Sequence, residues 1–181
     1  VMCDASFRPI RPAIHWTDSR SRSQATYLRE TYGELIFEKS FHKPDTIWTM
    51  PQVLWVKENE PENFAKVAKV LGVPDYLALR MTGNVAVDIS NAGICRFVDI
   101  EKGTYNQEIL DYAGVTQDRM PSVLPSAAPI GKLTTEAAKA MNLPMDVLLV
   151  SGAHDQYAVS LGAGACKDGD IFCSRLFCKA L

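Results

Sequence analysis

Apolar positions along this chain switch between two spacings, and the switches divide it into short strands and short helices. Val85 to Ile89 alternates with the period of two that suits a strand, and Val147-Leu148-Leu149-Val150 is an unbroken apolar run that predicts a buried one. Elsewhere the spacing is helical. Ser21 to Tyr32 reads as a helix closed by Gly33. Pro61 opens another where its missing N–H costs nothing, with Phe64, Val67, Ala68, Val70 and Leu71 on one face as far as Gly72. Pro74 to Met81 stops at Gly83, and Tyr105 to Ala113 turns Ile109, Leu110 and Ala113 inward ahead of Gly114. Thr134 and Thr135 are placed to cap a helix over Glu136 to Asn142. Pro9 to Trp16 reads as extended, Met120 to Pro129 with its three prolines as a loop, and Asp170 to Phe172 as a last strand. Strands alternating with helices predict an α/β fold.

The segment after Val150 carries the strongest chemical signal. Gly152 breaks the strand, and Ala158, Val159, Leu161, Ala163 and Ala165 supply the face of a short helix. This sets Asp155 at the carboxyl edge of a sheet, where open α/β sheets hold their ligands. An Asp there can accept a proton from a substrate hydroxyl. It serves equally well as a helix N-cap. His154 reads as a packed or solvated residue, and Gln156 as an exposed residue of the first turn.

Composition narrows the classes. A chain of 181 residues predicts one domain or two small ones, and 47% apolar residues suffice for a core. A net charge of -2 gives no footprint for nucleic acid or for a membrane surface. No apolar run reaches the length of a membrane-spanning helix. Val1-Met2-Cys3-Asp4 has neither the basic region nor the apolar core of a signal peptide, and the chain reads as a piece of something longer. The five cysteines, Cys3, Cys95, Cys166, Cys173 and Cys178, include no Cys-x-x-Cys pair. That argues against a zinc site or a disulfide framework and for reduced thiols in a cytoplasmic protein.

Five blocks, taken together, are more specific. Arg11-Pro-Ala-Ile-His-Trp-Thr-Asp-Ser-Arg20 resembles the W-x-D-x-R segment of the FGGY family of carbohydrate kinases. Pro51-Gln-Val-Leu-Trp-Val-Lys-Glu-Asn-Glu-Pro-Glu62 is similar to its P-K-x-x-W-x-K-x-N-x-P-E signature. Asp75 to Gly83 resembles D-Y-L-x-x-R-x-T-G, Gly131 to Ala138 resembles G-x-L-T-x-E-A-A, and Gly152 to Gly164 resembles G-x-x-D-x-x-x-x-x-L-G-x-G. The blocks come in family order and span nearly the whole chain.

The resemblance implies a ribonuclease H-like, actin-like ATPase fold, with residues 1–181 the later part of the first, sugar-side domain of a two-domain kinase. The opening strands with their D-x-G-T turn and the second domain are expected to be absent. It implies transfer of the ATP γ-phosphate, with Mg2+, to a hydroxyl of a sugar or polyol, a pentulose being favoured, and leaves a homodimer open. The catalytic base of the family falls on Asp155, where a helix N-terminus favours negative charge. Trp16 falls on an aromatic that packs against substrate carbons; read from composition alone it is a core residue. Asp18 and Arg20 fall near the sugar side of the cleft, although they also read as a surface ion pair; Gln156 falls on a substrate-contacting position of some members, and His154 beside it is a further substrate-binding candidate. Trp48 and Trp55 read as packing residues.

Three departures stand out. Gln52 replaces the family lysine, Ile47 stands where some polyol kinases have an aromatic, which argues against glycerol, and Arg175-Leu-Phe-Cys-Lys-Ala-Leu181 replaces a T-G-T turn. The isolated chain is expected to be inactive and weakly stable or self-associating. A non-catalytic remnant, or a sugar-binding or interaction module of the same fold, is the alternative, and a cysteine hydrolase is a distant third.

Overall fold

The computed structural model describes residues 1–173. The tail from Ser174 to Leu181, with its divergent end and Cys178, lies outside the described residues.

Three two-stranded sheets, eight α-helices and a short 3-10 turn (Gln117–Arg119) make up the described chain. Strand β1 (Met2–Cys3) pairs antiparallel with β2 (Lys69–Val70). Strand β3 (Ala86–Asp88) pairs parallel with β4 (Ser122–Leu124). Strand β5 (Pro129–Lys132) pairs antiparallel with β6 (Leu148–Val150). The helices are α1 (Arg22–Ser40), α2 (Thr49–Asn59), α3 (Pro61–Phe64), α4 (Val73–Thr82), α5 (Ile89–Arg96), α6 (Gln107–Ala113), α7 (Thr135–Met141) and α8 (Asp155–Gly162).

The elements that form as expected have local punctuation. Gly83 ends α4 at φ 79°, and its N–H donates to Leu79 O; only glycine takes that left-handed conformation without cost. Thr134 caps α7, its hydroxyl accepting the Ala137 N–H at 3.1 Å. Asn106 caps α6 in the same way through Ile109 N–H, so that helix begins two residues later than expected.

Several expectations are overturned. Gly33 does not close α1, which runs through it to Ser40. The predicted helix from Pro61 to Leu71 stops at Phe64, because Lys69 and Val70 pair with Met2 and Cys3 instead. The proline-rich loop contains β4, with Pro121 and Pro125 just outside the paired residues, where no ladder N–H is needed. Asp170 to Phe172 forms no strand. Two helices lay unread. Helix α2 buries Met50, Pro51, Gln52, Val53, Leu54 and Val56, and a helix buried on nearly every side has no amphipathic rhythm. Helix α5 contains Gly93, whose added Cβ would stand 2.7 Å from Ile100 Cγ2. Close packing, rather than helix propensity, calls for glycine there.

The main core lies around α2, where Leu28 and Ile36 of α1, Met50, Val53 and Leu54 of α2, Phe97, and Ile109 and Leu110 of α6 pack together. The opposite end differs. Leu148 and Val150 of β6 are 51% and 48% exposed, so the strand predicted as buried is open to solvent. Helix α8 has no buried residue at all.

Candidate functional site

Two neighbourhoods hold most of the residues singled out from the sequence, and Asp18 and Arg20 lie apart from both. The first is a cavity of about 360 Å³ walled by the extended segment after Arg11, the N-terminal half of α2, the start of α4 and one side of α5. Trp16, Ile47, Gln52 and Asn91 line it. Trp16 is 48% exposed, so it is not the core residue that composition suggests. Its ring lies 5.6 Å from that of His15. Gln52 is buried, and its amide donates to Thr46 O at 3.3 Å. Arg11 reaches the cavity wall while its Nε donates to Glu60 at 2.8 Å. Hydrogen bonds from Asn63 and Arg11 hold the Glu60 carboxyl below its usual range.

Behind the cavity lies a buried ion pair that sequence reasoning missed. Arg96 Nη2 donates to Asp75 Oδ2, and both side chains are 1% exposed. Asp75 also accepts the Gly72 N–H at 2.7 Å, closing the N-terminus of α4. Asp75 stands inside a recognised block, but Arg80 of that block reaches toward Glu136 instead. The true partner is 21 residues away and carries no local signal.

Asp18 and Arg20 form the predicted surface pair rather than lining the cavity. Arg20 Nη2 lies 2.8 Å from Asp18 Oδ2, and the Arg20 backbone N–H donates to Asp18 Oδ1 at 3.0 Å. These bonds hold the Asp18 carboxyl below its usual range. The guanidinium carbon also sits 4.8 Å from the centre of the Trp55 ring, which ties this turn to α2 through a cation–π contact.

The second neighbourhood is the start of α8. The N-cap is His154, not Asp155, which is the first helical residue. Gln156 N–H lies 2.7 Å from Asp155 Oδ1 and 3.4 Å from His154 Nδ1, so the carboxylate is the nearer acceptor. His154 Nδ1 stands 3.0 Å from the same Oδ1. The Asp155 side chain is 75% exposed, and Oδ2 accepts no hydrogen bond among the described residues. Gln156 contributes its backbone here. Tyr157 OH meets His42 Nε2 at 3.1 Å, joining α8 to the segment before α2.

Asp155 and its neighbours do not line the cavity; α5 joins the two places. Asn91, in its first turn, lines the cavity, while Ser90, one residue earlier, accepts the His154 N–H at 2.7 Å. Neither was picked out in advance, although Asp88 followed by Ser90 and Asn91 is a recognisable helix start.

Two cysteine candidates are poor nucleophiles. Burial pushes the Cys3 and Cys95 thiols above their ordinary range. Among the described residues no three His, Cys, Asp or Glu side chains gather into a metal site. No described helix is long and apolar enough to cross a membrane.

Comparison with known proteins shows the family and the fold. Residues 1–162 match the N-terminal domain of the FGGY family of carbohydrate kinases. A xylulose kinase of Lactococcus lactis is 32% identical over 164 residues, covering 91% of this chain and 33% of its own. A xylulose kinase of Escherichia coli is 34% identical over 165 residues, covering 91% and 34%. The crystal structure of xylulose kinase from Rhodospirillum rubrum superposes with a TM-score of 0.86 at 28% identity, covering 93% of this chain and 35% of its own. The chain thus spans about a third of the length of the curated relatives it matches.

Proposed function

The chain belongs to the FGGY family of carbohydrate kinases and has the actin-like ATPase fold of the first domain of such enzymes, and on that premise we propose that it supplies the sugar-side part of a pentulose kinase. The observation that carries this reading is the open carboxylate of Asp155. Its Oδ1 is engaged by Gln156 and His154, while Oδ2 is left for a substrate hydroxyl.

In this reading the sugar lies with its carbons against Trp16 and one hydroxyl at Asp155 Oδ2. As the hydroxyl oxygen attacks the γ-phosphorus of ATP, its proton passes to Asp155. The bond from that phosphorus to the bridging oxygen breaks, and ADP leaves. Phosphoryl transfer depends on holding the attacking oxygen in line far more than on covalent help. Ile47, which stands where some polyol kinases have an aromatic, lines the cavity and argues against glycerol. The xylulose kinases among the relatives favour a ketopentose over a polyol.

The activity belongs to a protein of the relatives' length, and the 181-residue chain alone is expected to turn over no sugar. The test is ADP release by the full-length protein against a panel of ketopentoses, ketohexoses and glycerol. Turnover with a ketopentose at the highest kcat/KM is expected. Binding of sugar without turnover of any panel member would make it a sugar-binding module instead.

A further inference from the structure

Asp155 sits at the start of α8, which has no buried residue in the described chain. Its N-terminus is nevertheless fixed. Ser151, just before it, is buried and donates through Oγ to Pro125 O at 2.6 Å. After the exposed Gly152-Ala153, the chain is caught again where His154 N–H donates to Ser90 Oγ at 2.7 Å. That second contact is the last fixed point before the catalytic carboxylate.

Ser90 is itself oriented. Its single hydroxyl hydrogen goes to Asp88 Oδ1, so its lone pairs are left for His154. A hydroxyl that donates to a carboxylate is also polarised into a stronger acceptor. Asp88 is 4% exposed and is held in turn by Asn91, whose backbone N–H donates to Oδ1 at 2.9 Å and whose amide donates to Oδ2 at 2.7 Å. The Asn91 backbone contact alone caps α5. The Ser90 hydroxyl is therefore surplus to the helix that carries it, and its one long-range hydrogen bond among the described residues is to the residue before Asp155.

We propose that Asp88 and Ser90 are positioning residues for phosphoryl transfer: the buried carboxylate aims the hydroxyl, and the hydroxyl pins the N-terminus of α8 so that Asp155 meets the attacking sugar oxygen in line. The inference rests on the reading of Asp155 as the base. It follows that the device acts on the rate of the chemical step more than on substrate affinity, since a misplacement of about 1 Å costs roughly a hundredfold.

The test uses the full-length kinase with a turned-over ketopentose. Ser90→Ala is expected to lower kcat by about 10- to 100-fold with KM for sugar and ATP little changed. Ser90→Thr, which keeps the hydroxyl, is expected to recover most of the loss. The double variant Ser90→Ala with Asp155→Asn is expected to be no slower than Asp155→Asn alone, because two residues acting as one unit are not additive. Wild-type kcat in Ser90→Ala, with Asp155→Asn inactive, overturns the positioning role and leaves the base assignment standing. Additive losses, or a drop in kcat that tracks melting temperature and is not rescued by Thr, also overturn it. Near-normal turnover in Asp155→Asn removes the base assignment and this inference with it.

Discussion

The cavity and the helix that carries Asp155 are held in opposite ways. The cavity wall is backed by the core around α2, where Leu28, Met50, Val53 and Phe97 are each 0–1% exposed. In the described chain, helix α8 and strand β6 leave Leu148, Val159 and Leu161 at 51%, 52% and 65% exposure, and hydrogen bonds join His154 N–H to Ser90 Oγ, Ser151 Oγ to Pro125 O, and Tyr157 to His42. Burial stabilises roughly in proportion to area, whereas a single hydrogen bond contributes about 1 kcal/mol net. One region therefore carries stability, and the other carries the proposed base. Their sensitivities to mutation should be inverted.

The largest effect that separates them is on rate. Asp155→Asn in the full-length enzyme should cut kcat by about 10²–10⁴-fold, because an amide cannot take the hydroxyl proton. It should leave the melting temperature unchanged, since the carboxylate is exposed. Near-normal turnover at saturating sugar would move the base elsewhere, to Asp18 or His154. The converse is a pair of truncations in the 181-residue chain, read by denaturant midpoint. Leu28→Ala, in the core, should cost about 2–5 kcal/mol. Leu161→Ala, on the exposed face of α8, should stay within about 0.5 kcal/mol. Equal losses at both positions would erase the contrast.

Smaller effects sharpen it. Trp16→Ala should raise KM for the sugar several-fold, in keeping with about 1 kcal/mol for an aromatic contact. KM for ATP and the melting temperature should hardly move; a parallel loss of all three would make Trp16 structural. Gly33→Ala should stabilise the chain by about 0.4–1 kcal/mol. The helix runs through this position, and the added Cβ would meet only Arg29 Cγ at 3.8 Å. A destabilised variant would show that α1 is broken there. The smallest effect is on pH. Burial, with His154 nearby, holds His42 below its usual 6.5. The unfolded chain then binds more protons at that residue, so its contribution is present above about pH 6.5 and is lost as pH falls through the lowered folded value. Thermal melts from pH 5 to 7.5 should show a shallower decline on acidification in His42→Gln than in the wild type.

Legibility followed the range of the interactions. The ends of α4, α6 and α7 were readable because Gly83, Gly114 and Thr134 act within one turn of themselves. Asp155 was readable as a helix-start acid beside a broken strand, although the cap proved to be His154, one residue earlier. The polar device that holds it was not. Ser90 meets the His154 N–H across 64 residues, and Arg96 meets Asp75 across 21. A hydrogen bond of that span leaves no spacing in the chain.

By itself the sequence determined the family, through five ordered blocks, and the local stops and caps that each short element needs. Only the tertiary structure decided which apolar stretches became strands. Lys69-Val70 left a helical pattern because Met2-Cys3 offered backbone partners, and Ser122 to Leu124 left a loop because β3 lay alongside. It also decided that the apolar run at β6 is exposed and that Trp16 opens onto a cavity. The physical reason is that backbone pairing and burial are properties of two segments at once. Periodicity within one segment records the faces it offers, and the neighbour that arrives determines which face is used.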